Sequence, residues 1–590
     1  MKEQPYWKRI GAGRAVTRRY ALGVMAGGAG SAFLAACGGS NNNGATGSKT
    51  APTTNTAPPA AASSSVATAA GTAAPQAPAV SKTTPAPAAE TPVRGGTLHR
   101  GTYLNVLGID PHIEVSVGFI MMTAVYSYLG ATNPIEQKFY PMFADSVENP
   151  SPTEFIFKLK HGIKFQNVDP VNGREMTADD VLYSKKRFRD LPQAQNNDFY
   201  KKTVDAMEAV DPYTFRVTTK QPWAESRLEL GGVQQAIVPH EAVEKFGDLS
   251  QHAIGAGPYI LTEYVKGERT GLKRNPDYYD KNLPYLDGIT WQTILDQGTL
   301  LQAYKSGQID IGQGPYEGTS LTKLDFDDLA KNDKLFSVKL PSLSYGSLGL
   351  NASVKPFDDK RVRQAIWVGV DRQAFIEKVG QGDGTPMGVL NNGLTYWVLS
   401  QDELKPYIAP DVQKAKQLLA AAGYANGFDM TIETSGGVQA YIDHAEVLVA
   451  ELKKLGINAK LNLTDLPSYL SNKLFKGDFM ATVFTHNPYE SPKVPLGFYH
   501  KDGLGGGNWW HYDNPQVTAA VDAQNAEVDT QKRQKLVKDA QKIILDDAAP
   551  LINWYSRELY QTWYKKIGGI DPNLRTFNYF RYGEYIKPNA

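Results

Sequence analysis

The side chains that carry out most enzymatic catalysis are present in this sequence, but not in the patterns that catalysis requires. No GxxxxGK[ST] phosphate loop, HExxH zinc motif or GxSxG nucleophile motif occurs. The adjacent carboxylates Asp179–Asp180 and Asp358–Asp359 stand at predicted helix starts, where the helix dipole already favours acidic residues. We therefore predict that the protein is not an enzyme and uses no cofactor.

Three histidines, His486, His500 and His511, bring imidazoles into one region of the chain. Imidazole suits nickel and other transition metals. The spacing of these residues matches no fixed ligand pattern, however, and a loop histidine is more often solvated or hydrogen-bonded than bound to a metal. We therefore predict no metal site here.

The same region is rich in aromatic side chains around the flexible stretch GLGGGN (503–508). Tyr489, Trp509 and Trp510 are the main candidates for function. Aromatic residues offer a large contact area and a polar tip at a low entropy cost, so a glycine-hinged aromatic loop suits a cleft that closes on a ligand. Packing in the hydrophobic core is the alternative, and the sequence leaves the two open for Trp509 and Trp510.

The only cysteine, Cys37, stands directly after a predicted export signal. Positive residues precede a weakly apolar stretch (21–36) that is too short and too rich in small residues to span a membrane. TRRYAL (17–22) resembles a twin-arginine signal, and an ordinary Sec signal is the alternative. LAAC (34–37) resembles a bacterial lipobox, in which the signal is cut before a cysteine that is then lipidated.

These features divide the first part of the chain into a signal peptide (1–36) and a lipidated tether (37–92). The tether consists mainly of Ala, Thr, Pro, Ser, Gly and Asn, so it cannot bury enough apolar surface to offset the entropy cost of ordering. Acyl chains on Cys37 would hold the exported protein to the outer face of the cytoplasmic membrane without spanning it.

The rest of the chain has the composition of a soluble globular protein. The full chain of 590 residues carries a net charge of +1, and 21% of its residues are charged. This balance gives no reason to expect nucleic acid as a partner. Helices and strands alternate in the second half of the chain, which predicts an α/β sheet with helices on its faces. One helix is predicted from Asp358 or Asp359 to Gly380, and another begins with the pair Thr177 and Asp180.

Several long segments resemble, in the same order, those of the extracytoplasmic solute-binding proteins of family 5. These oligopeptide- and dipeptide-binding proteins are the ligand-capturing subunits of ABC importers. The resemblance extends over nearly the whole chain beyond Val93. The segments that carry it are 151–188, 255–264, 272–280, 300–312 and 344–386.

The resemblance implies a two-lobed, periplasmic-binding-protein-like α/β fold of the cluster C type with a small extra subdomain. Hinge segments are expected near Gly349–Asn351 and near Tyr555. The expected division is lobe I from 93–137, 253–350 and 556–590, the inserted subdomain from 138–252, and lobe II from 351–555.

The resemblance also implies a ligand cleft between the lobes. In the family, the loop after the first strand borders this cleft. The resulting candidate ligand-binding residues are Tyr103, Leu104, Asn105, Tyr345, His486, Asn487, Tyr489, Glu490, Trp509 and Trp510.

One departure from the family concerns the recognition of the ligand. Peptide-binding members carry an Asp-Pro-Asp loop after the strand that ends near His486, and one of its aspartates pairs with the α-ammonium of the ligand. Here Glu490 is the only acidic residue between Phe484 and Lys501. Either Glu490 substitutes for the aspartate, or the ligand has a blocked or uncharged end, as in a sugar or a modified peptide, because an ammonium buried without a partner costs several kcal/mol.

The family resemblance predicts a monomeric substrate-binding lipoprotein of an ABC importer. It would capture an oligopeptide-like solute and deliver it to membrane permease subunits, which are driven by separate ATPase subunits. A carbohydrate or a nickel or other metal chelate is the alternative ligand. An extracellular sensor that presents its ligand to a membrane kinase is the alternative role.

Overall fold

The computed structural model describes residues 91–103, 106, 108–113, 118–133, 138–194, 197–313, 321–486, 488–504, 507–572 and 582–587. All of these residues belong to one compact unit. The predicted signal peptide, Cys37 and nearly all of the tether lie outside the described residues.

The strands are numbered in chain order. They are β1 (Thr97–Thr102), β2 (Gly130–Asn133), β3 (Lys138–Pro141), β4 (Ala144–Ser151), β5 (Glu154–Leu159), β6 (Val204–Asp211), β7 (Thr214–Thr219), β8 (Tyr259–Val265), β9 (Arg269–Arg274), β10 (Gly288–Thr293), β11 (Ile311–Gln313), β12 (Leu335–Leu350), β13 (Thr385–Pro386), β14 (Asp429–Ser435), β15 (Asn458–Thr464), β16 (Ala481–His486), β17 (Leu551–Tyr564), β18 (Ile567–Gly568) and β19 (Tyr585–Ile586).

The helices are numbered in the same way. They are α1 (Gly118–Val125), α2 (Ala178–Asp190), α3 (Ser226–Gly231), α4 (His240–Phe246), α5 (Gln297–Lys305), α6 (Lys323–Leu329), α7 (Lys360–Gly369), α8 (Arg372–Lys378), α9 (Gln401–Ile408), α10 (Val412–Ala421), α11 (Gln439–Lys454), α12 (Leu466–Ser468), α13 (Lys493–Gly497), α14 (Pro515–Ala526) and α15 (Thr530–Asp546).

One large sheet runs through the molecule, in the order β15-β14-β16-β12-β17-β11-β1-β10-β9-β8, with β13 on β17. A separate four-stranded sheet, β4-β5-β7-β6, forms the small subdomain. Phe155, Phe157 and Leu159 alternate along β5 and are buried, which confirms the period-2 pattern of that strand.

The described side chains pack around two large hydrophobic clusters, and these define the two lobes. Lobe I contains the cluster that includes Leu98, Phe157 and Trp563, so the small subdomain shares a core with the first part of the large sheet. Lobe II contains the cluster that runs from Leu343 to Tyr555. The mixed α/β, two-lobed architecture predicted from the sequence is confirmed.

The long strands β12 and β17 connect the lobes. Residues 335–341 of β12 pair with 558–564 of β17, and residues 345–349 pair with 551–556. The first half of this ribbon pairs with β11 in lobe I, and the second half pairs with β16 in lobe II. The chain therefore crosses between the lobes twice, side by side, where the register of the two strands shifts.

The predicted start of lobe II at residue 351 remains a prediction. Leu348 and Leu350 are already buried in the cluster of lobe II, and so is Leu343. The packing thus favours a boundary inside β12, close to the register shift.

The structure confirms the predicted helix starts and corrects one helix. Asp359 accepts a hydrogen bond from the backbone N of Arg361 at 2.8 Å, and Asp180 accepts one from the backbone N of Thr177 at 2.9 Å. The single helix expected as far as Gly380 is wrong: α7 ends at Gly369 and α8 starts at Arg372. Asp371 caps α8, so a cap that the sequence analysis overlooked interrupts the helical pattern.

No helix among the described ranges is long and apolar enough to cross a membrane.

Candidate functional site

The carboxyl ends of strands from both lobes face each other at the crossing. In lobe I, β1 runs parallel to β11 and β10, and β11 runs antiparallel to β17, so β1 points towards lobe II. In lobe II, β16 is antiparallel to β12 and parallel to β14, so both point back towards lobe I. In α/β sheets, ligands bind outside the carboxyl ends of the strands, which places a candidate cleft here.

On the lobe I side, Tyr103 directly follows the end of β1. Its half-buried ring packs against Leu300, Ala303 and Ile309, and burial raises the pKa of its hydroxyl. The predicted neighbours Leu104 and Asn105 lie outside the described residues. Leu295, which the sequence did not single out, follows β10 at the same edge and is 62% exposed.

On the lobe II side, Tyr345 and His486 occupy neighbouring positions on two adjacent strands of the sheet. They are paired in register between β12 and β16, and their rings stack with centroids 4.4 Å apart. Both are buried, and a ligand role for them remains a prediction. Burial lowers the pKa of His486 to about 3, and the imidazole is therefore neutral near pH 7.

The loop that follows β16 carries the remaining candidates of lobe II. Tyr489 is half-buried, 6.1 Å from the His486 ring and 5.8 Å from the Phe498 ring, and burial raises the pKa of its hydroxyl. Glu490 is half-buried and already interacts with another group. Asn487 lies outside the described residues. Tyr489 thus lies near the His486 end of β16, and a ligand role for Tyr489 and Glu490 remains a prediction.

The two adjacent tryptophans occupy different environments. Trp510 is fully buried in the cluster of lobe II, and its Nε1 donates to the carbonyl of Phe498 at 2.6 Å. Trp509 is half-buried and packs against Phe475 and Phe498. A ligand role for either remains a prediction, and the burial of Trp510 supports the alternative of core packing.

The three histidines of this region have separate surroundings. His486 lies among aromatic rings, and His500 Nε2 is 3.3 Å from Asp522. Within the described part of the chain, no group of three or more His, Cys, Asp or Glu residues is arranged to hold a metal ion.

An arginine that sequence analysis missed stands at the crossing itself. Pro341 pairs with Glu558, and Tyr345 pairs with Ser556. Between these two pairs, β12 contains three residues and β17 contains only one, Arg557, so the strands form a β-bulge. Such a bulge changes the direction of nearby side chains and is frequent beside functional sites. The sequence signal was a charged residue inside the apolar run LINWYSRELYQTWY of β17.

A segment of lobe I also contacts lobe II directly. Arg533 of α15 donates to Glu225 at 2.7 Å, and both side chains are buried. The backbone N of Ala224 donates to the carbonyl of Asn525 at 2.8 Å. The ion pair and its hydrogen bonds compensate for the burial of these two charges, whereas either charge buried alone would be destabilising.

A second ion pair joins the same two parts. Lys493 of α13 donates to Glu229 of α3 at 2.6 Å, and its ammonium lies 4.8 Å from the centre of the Trp223 ring. We call residues 223–229, with their partners on α13, α14 and α15, the interlobe clasp. It is a second connection between the two lobes besides the β12–β17 ribbon.

Comparisons with known proteins agree with this geometry. The sequence model of the bacterial extracellular solute-binding proteins, family 5 Middle, matches residues 138–506. A glutathione-binding protein, GsiB, of Salmonella choleraesuis is 27% identical over 433 residues, 69% of this chain and 80% of that protein.

Solved structures show the same fold. HbpA2 from Haemophilus parasuis superposes with a TM-score of 0.73 at 21% identity, over 83% of this chain and all (100%) of that one. The binding protein AgaA, in complex with agropinic acid, from A.tumefacien R10 gives 0.64 at 26% identity, over 84% and 99%. The family match covers more than half of the residues, and the chain therefore belongs to the bacterial extracellular solute-binding proteins of family 5.

Proposed function

We propose that the protein is the substrate-binding lipoprotein of an ABC importer, which captures an oligopeptide-like solute between its lobes and delivers it to a membrane permease. The observation that carries this proposal is the double crossing of β12 and β17 between two separate cores. Two side-by-side strands with a shifted register form a hinge around which the lobes can close on a ligand.

The names of related proteins support a peptide-like solute. One relative is named as a glutathione-binding protein, and a structural neighbour was solved in complex with a peptide. The half-buried Tyr103 and Tyr489, from opposite lobes, offer aromatic area with polar tips to such a ligand. We assign ligand contact to these two and to Glu490, with Leu104, Asn105 and Asn487, which lie outside the described residues, as further candidates.

The remaining parts of the proposal concern the membrane and partners. Lipidation of Cys37 would anchor the exported monomer to the outer face of the cytoplasmic membrane, and residues 37–92 would serve as its tether. The partners are permease subunits with separate ATPases. The protein itself performs no catalysis in this role, as expected for a family of binding proteins.

The alternative solutes, a carbohydrate or a metal chelate, are less well supported. No observation among the described residues favours a metal chelate over a peptide. The alternative role, an extracellular sensor, would bind its ligand in the same cleft. The solute class is therefore the point to test.

A thermal-shift screen of the purified protein tests the proposal. Pools of short peptides, glutathione, neutral oligosaccharides and metal–histidine chelates are added separately. A ligand at a hundred times its dissociation constant stabilises the folded state by about 2.7 kcal/mol. We expect stabilisation by peptides or glutathione, whereas stabilisation by sugars or chelates alone would contradict the peptide assignment. No stabilisation by any pool would contradict solute capture.

A further inference from the structure

Arg557 is a half-buried cation at the junction of the lobes. Within the described residues its guanidinium has no hydrogen bond and no carboxylate within 4 Å, although most other buried or half-buried arginines of the structure have such partners. A cation withdrawn from water without a partner is unfavourable. An anion bound next to Arg557 would therefore be favourable.

The neighbouring donor points to the same requirement. Tyr555 is two residues away on β17, and the positive charge of Arg557 acts on its hydroxyl, so the two groups are neighbours. The Tyr555 hydroxyl is fully buried and has no hydrogen-bond partner. A buried hydroxyl without a partner is uncommon and costs free energy. Arg557 and Tyr555 together therefore present unmatched donors on one side of the crossing.

The other neighbours do not neutralise Arg557. His444 is buried, and its Nδ1 lies 2.6 Å from the carbonyl of Ala440. Nδ1 therefore carries the hydrogen, and Nε2 carries a lone pair and can only accept a hydrogen bond. Burial, with a smaller contribution from the positive charge of Arg557, lowers the pKa of His444 to about 4. Asp443 acts on the same groups through its charge, but its Oδ1 accepts from Gln439 and not from Arg557.

We propose that Arg557 binds a carboxylate of the captured solute, with the hydroxyl of Tyr555 as a second donor. The guanidinium fork matches a carboxylate in a bidentate geometry. This assignment rests on the proposed function and narrows it. The ligand is recognised by its acid end, which agrees with the loss of the aspartate loop that would bind an ammonium.

The test compares two pools of the same tripeptides, one with free C-terminal carboxylates and one with amides. Affinity is measured by thermal shift at several concentrations for the unaltered protein, R557Q, R557K and R361Q. Arg361 is an exposed arginine paired with Asp359 and serves as the control. We expect the free-acid pool to bind, and amidation or R557Q to weaken binding by about tenfold or more. R557K retains part of the affinity and R361Q all of it.

Other outcomes overturn the assignment in distinguishable ways. If both pools bind equally, or R557Q binds the free acids normally, Arg557 has no carboxylate role while solute capture stands. If R557Q and D443N lower the melting temperature of the unliganded protein equally, Arg557 is a structural partner of Asp443. If neutral oligosaccharides alone bind, the acid ligand is wrong but capture stands. If no pool binds, the proposed function itself fails.

Discussion

Arg533 and Glu225, which are 308 positions apart in the chain, form a buried ion pair at 2.7 Å that joins the two lobes. Arg533 also lies over the Trp397 ring, 5.0 Å from its centre, so lobe II holds the guanidinium in place for its partner in lobe I. The pair belongs to the interlobe clasp, and its geometry exists only while the lobes are in contact.

Removing one charge of this pair is expected to favour separation of the lobes. E225Q leaves Arg533 buried without its carboxylate, and breaking a buried pair costs about 3–5 kcal/mol unless the cation can regain water. Opening the lobes restores that water. We expect small-angle scattering to show a larger radius of gyration for unliganded E225Q and a weaker affinity for solute.

K535Q is the matched control for E225Q. Lys535 lies on the same helix as Arg533 and pairs with Asp539, but this pair is exposed. Exposed pairs four residues apart on a helix contribute about 0.3–0.5 kcal/mol. The clasp has no part in closure if the radius of gyration of E225Q equals that of K535Q.

Trp510 is expected to stabilise the fold rather than the complex. W510A removes a fully buried indole and its hydrogen bond to Phe498, which should lower the free energy of unfolding by about 3–5 kcal/mol. Urea denaturation measures this change. A variant that unfolds at the normal midpoint but fails to bind solute would show instead that Trp510 contacts the ligand.

Tyr489 is expected to behave in the opposite way. The half-buried ring of Tyr489 lies in the loop after β16, so Y489A should lower solute affinity about tenfold or more while costing less stability than W510A. Affinity by thermal shift and stability by urea denaturation are measured on the same preparation. Equal losses of stability in Y489A and W510A, with unchanged affinity, would place Tyr489 in the core.

The buried imidazole of His486 predicts a loss of stability in acid. Its pKa is about 3 in the folded protein against 6.5 in the unfolded chain, so only the unfolded chain takes up a proton between these values. The stability is complete above pH 6.5 and decreases as the pH falls towards 3. H486F lacks this proton uptake and keeps a ring against Tyr345.

Urea denaturation at pH 7.5 and pH 5 measures the effect. Relative to the unaltered protein, H486F should lose about 2 kcal/mol less between these two pH values. His112 and His444, whose pKa burial also lowers, to about 3 and about 4, remain in both proteins and contribute equally. The same loss in both proteins would mean that His486 is not kept neutral by burial.

Cys37 is expected to determine where the protein is found. C37S removes the thiol that lipidation needs, so the exported protein should move from the membrane fraction to the soluble fraction. Fractionation with labelled lipid incorporation measures this. A membrane-bound C37S protein would show that another feature anchors the chain.

The sequence predicted the elements with strong local signals and missed those that depend on pairing between distant strands. Thr177–Asp180 and Asp359 begin helices as predicted, because a cap is set by neighbouring residues. The position of Arg557 at the crossing could not be inferred in this way, because the bulge beside it depends on the register of β12 and β17. The adjacent Trp509 and Trp510 likewise differ in burial through contacts made by distant elements.

Calorimetric titration of the free-acid tripeptide pool, or of glutathione, into the purified protein tests the central claim most directly. We expect saturable binding of one solute per chain, with a negative heat-capacity change because closure of the lobes buries apolar surface. Titrations that show no saturable heat with any peptide, glutathione, sugar or chelate would contradict the claim that this protein captures a solute between its lobes.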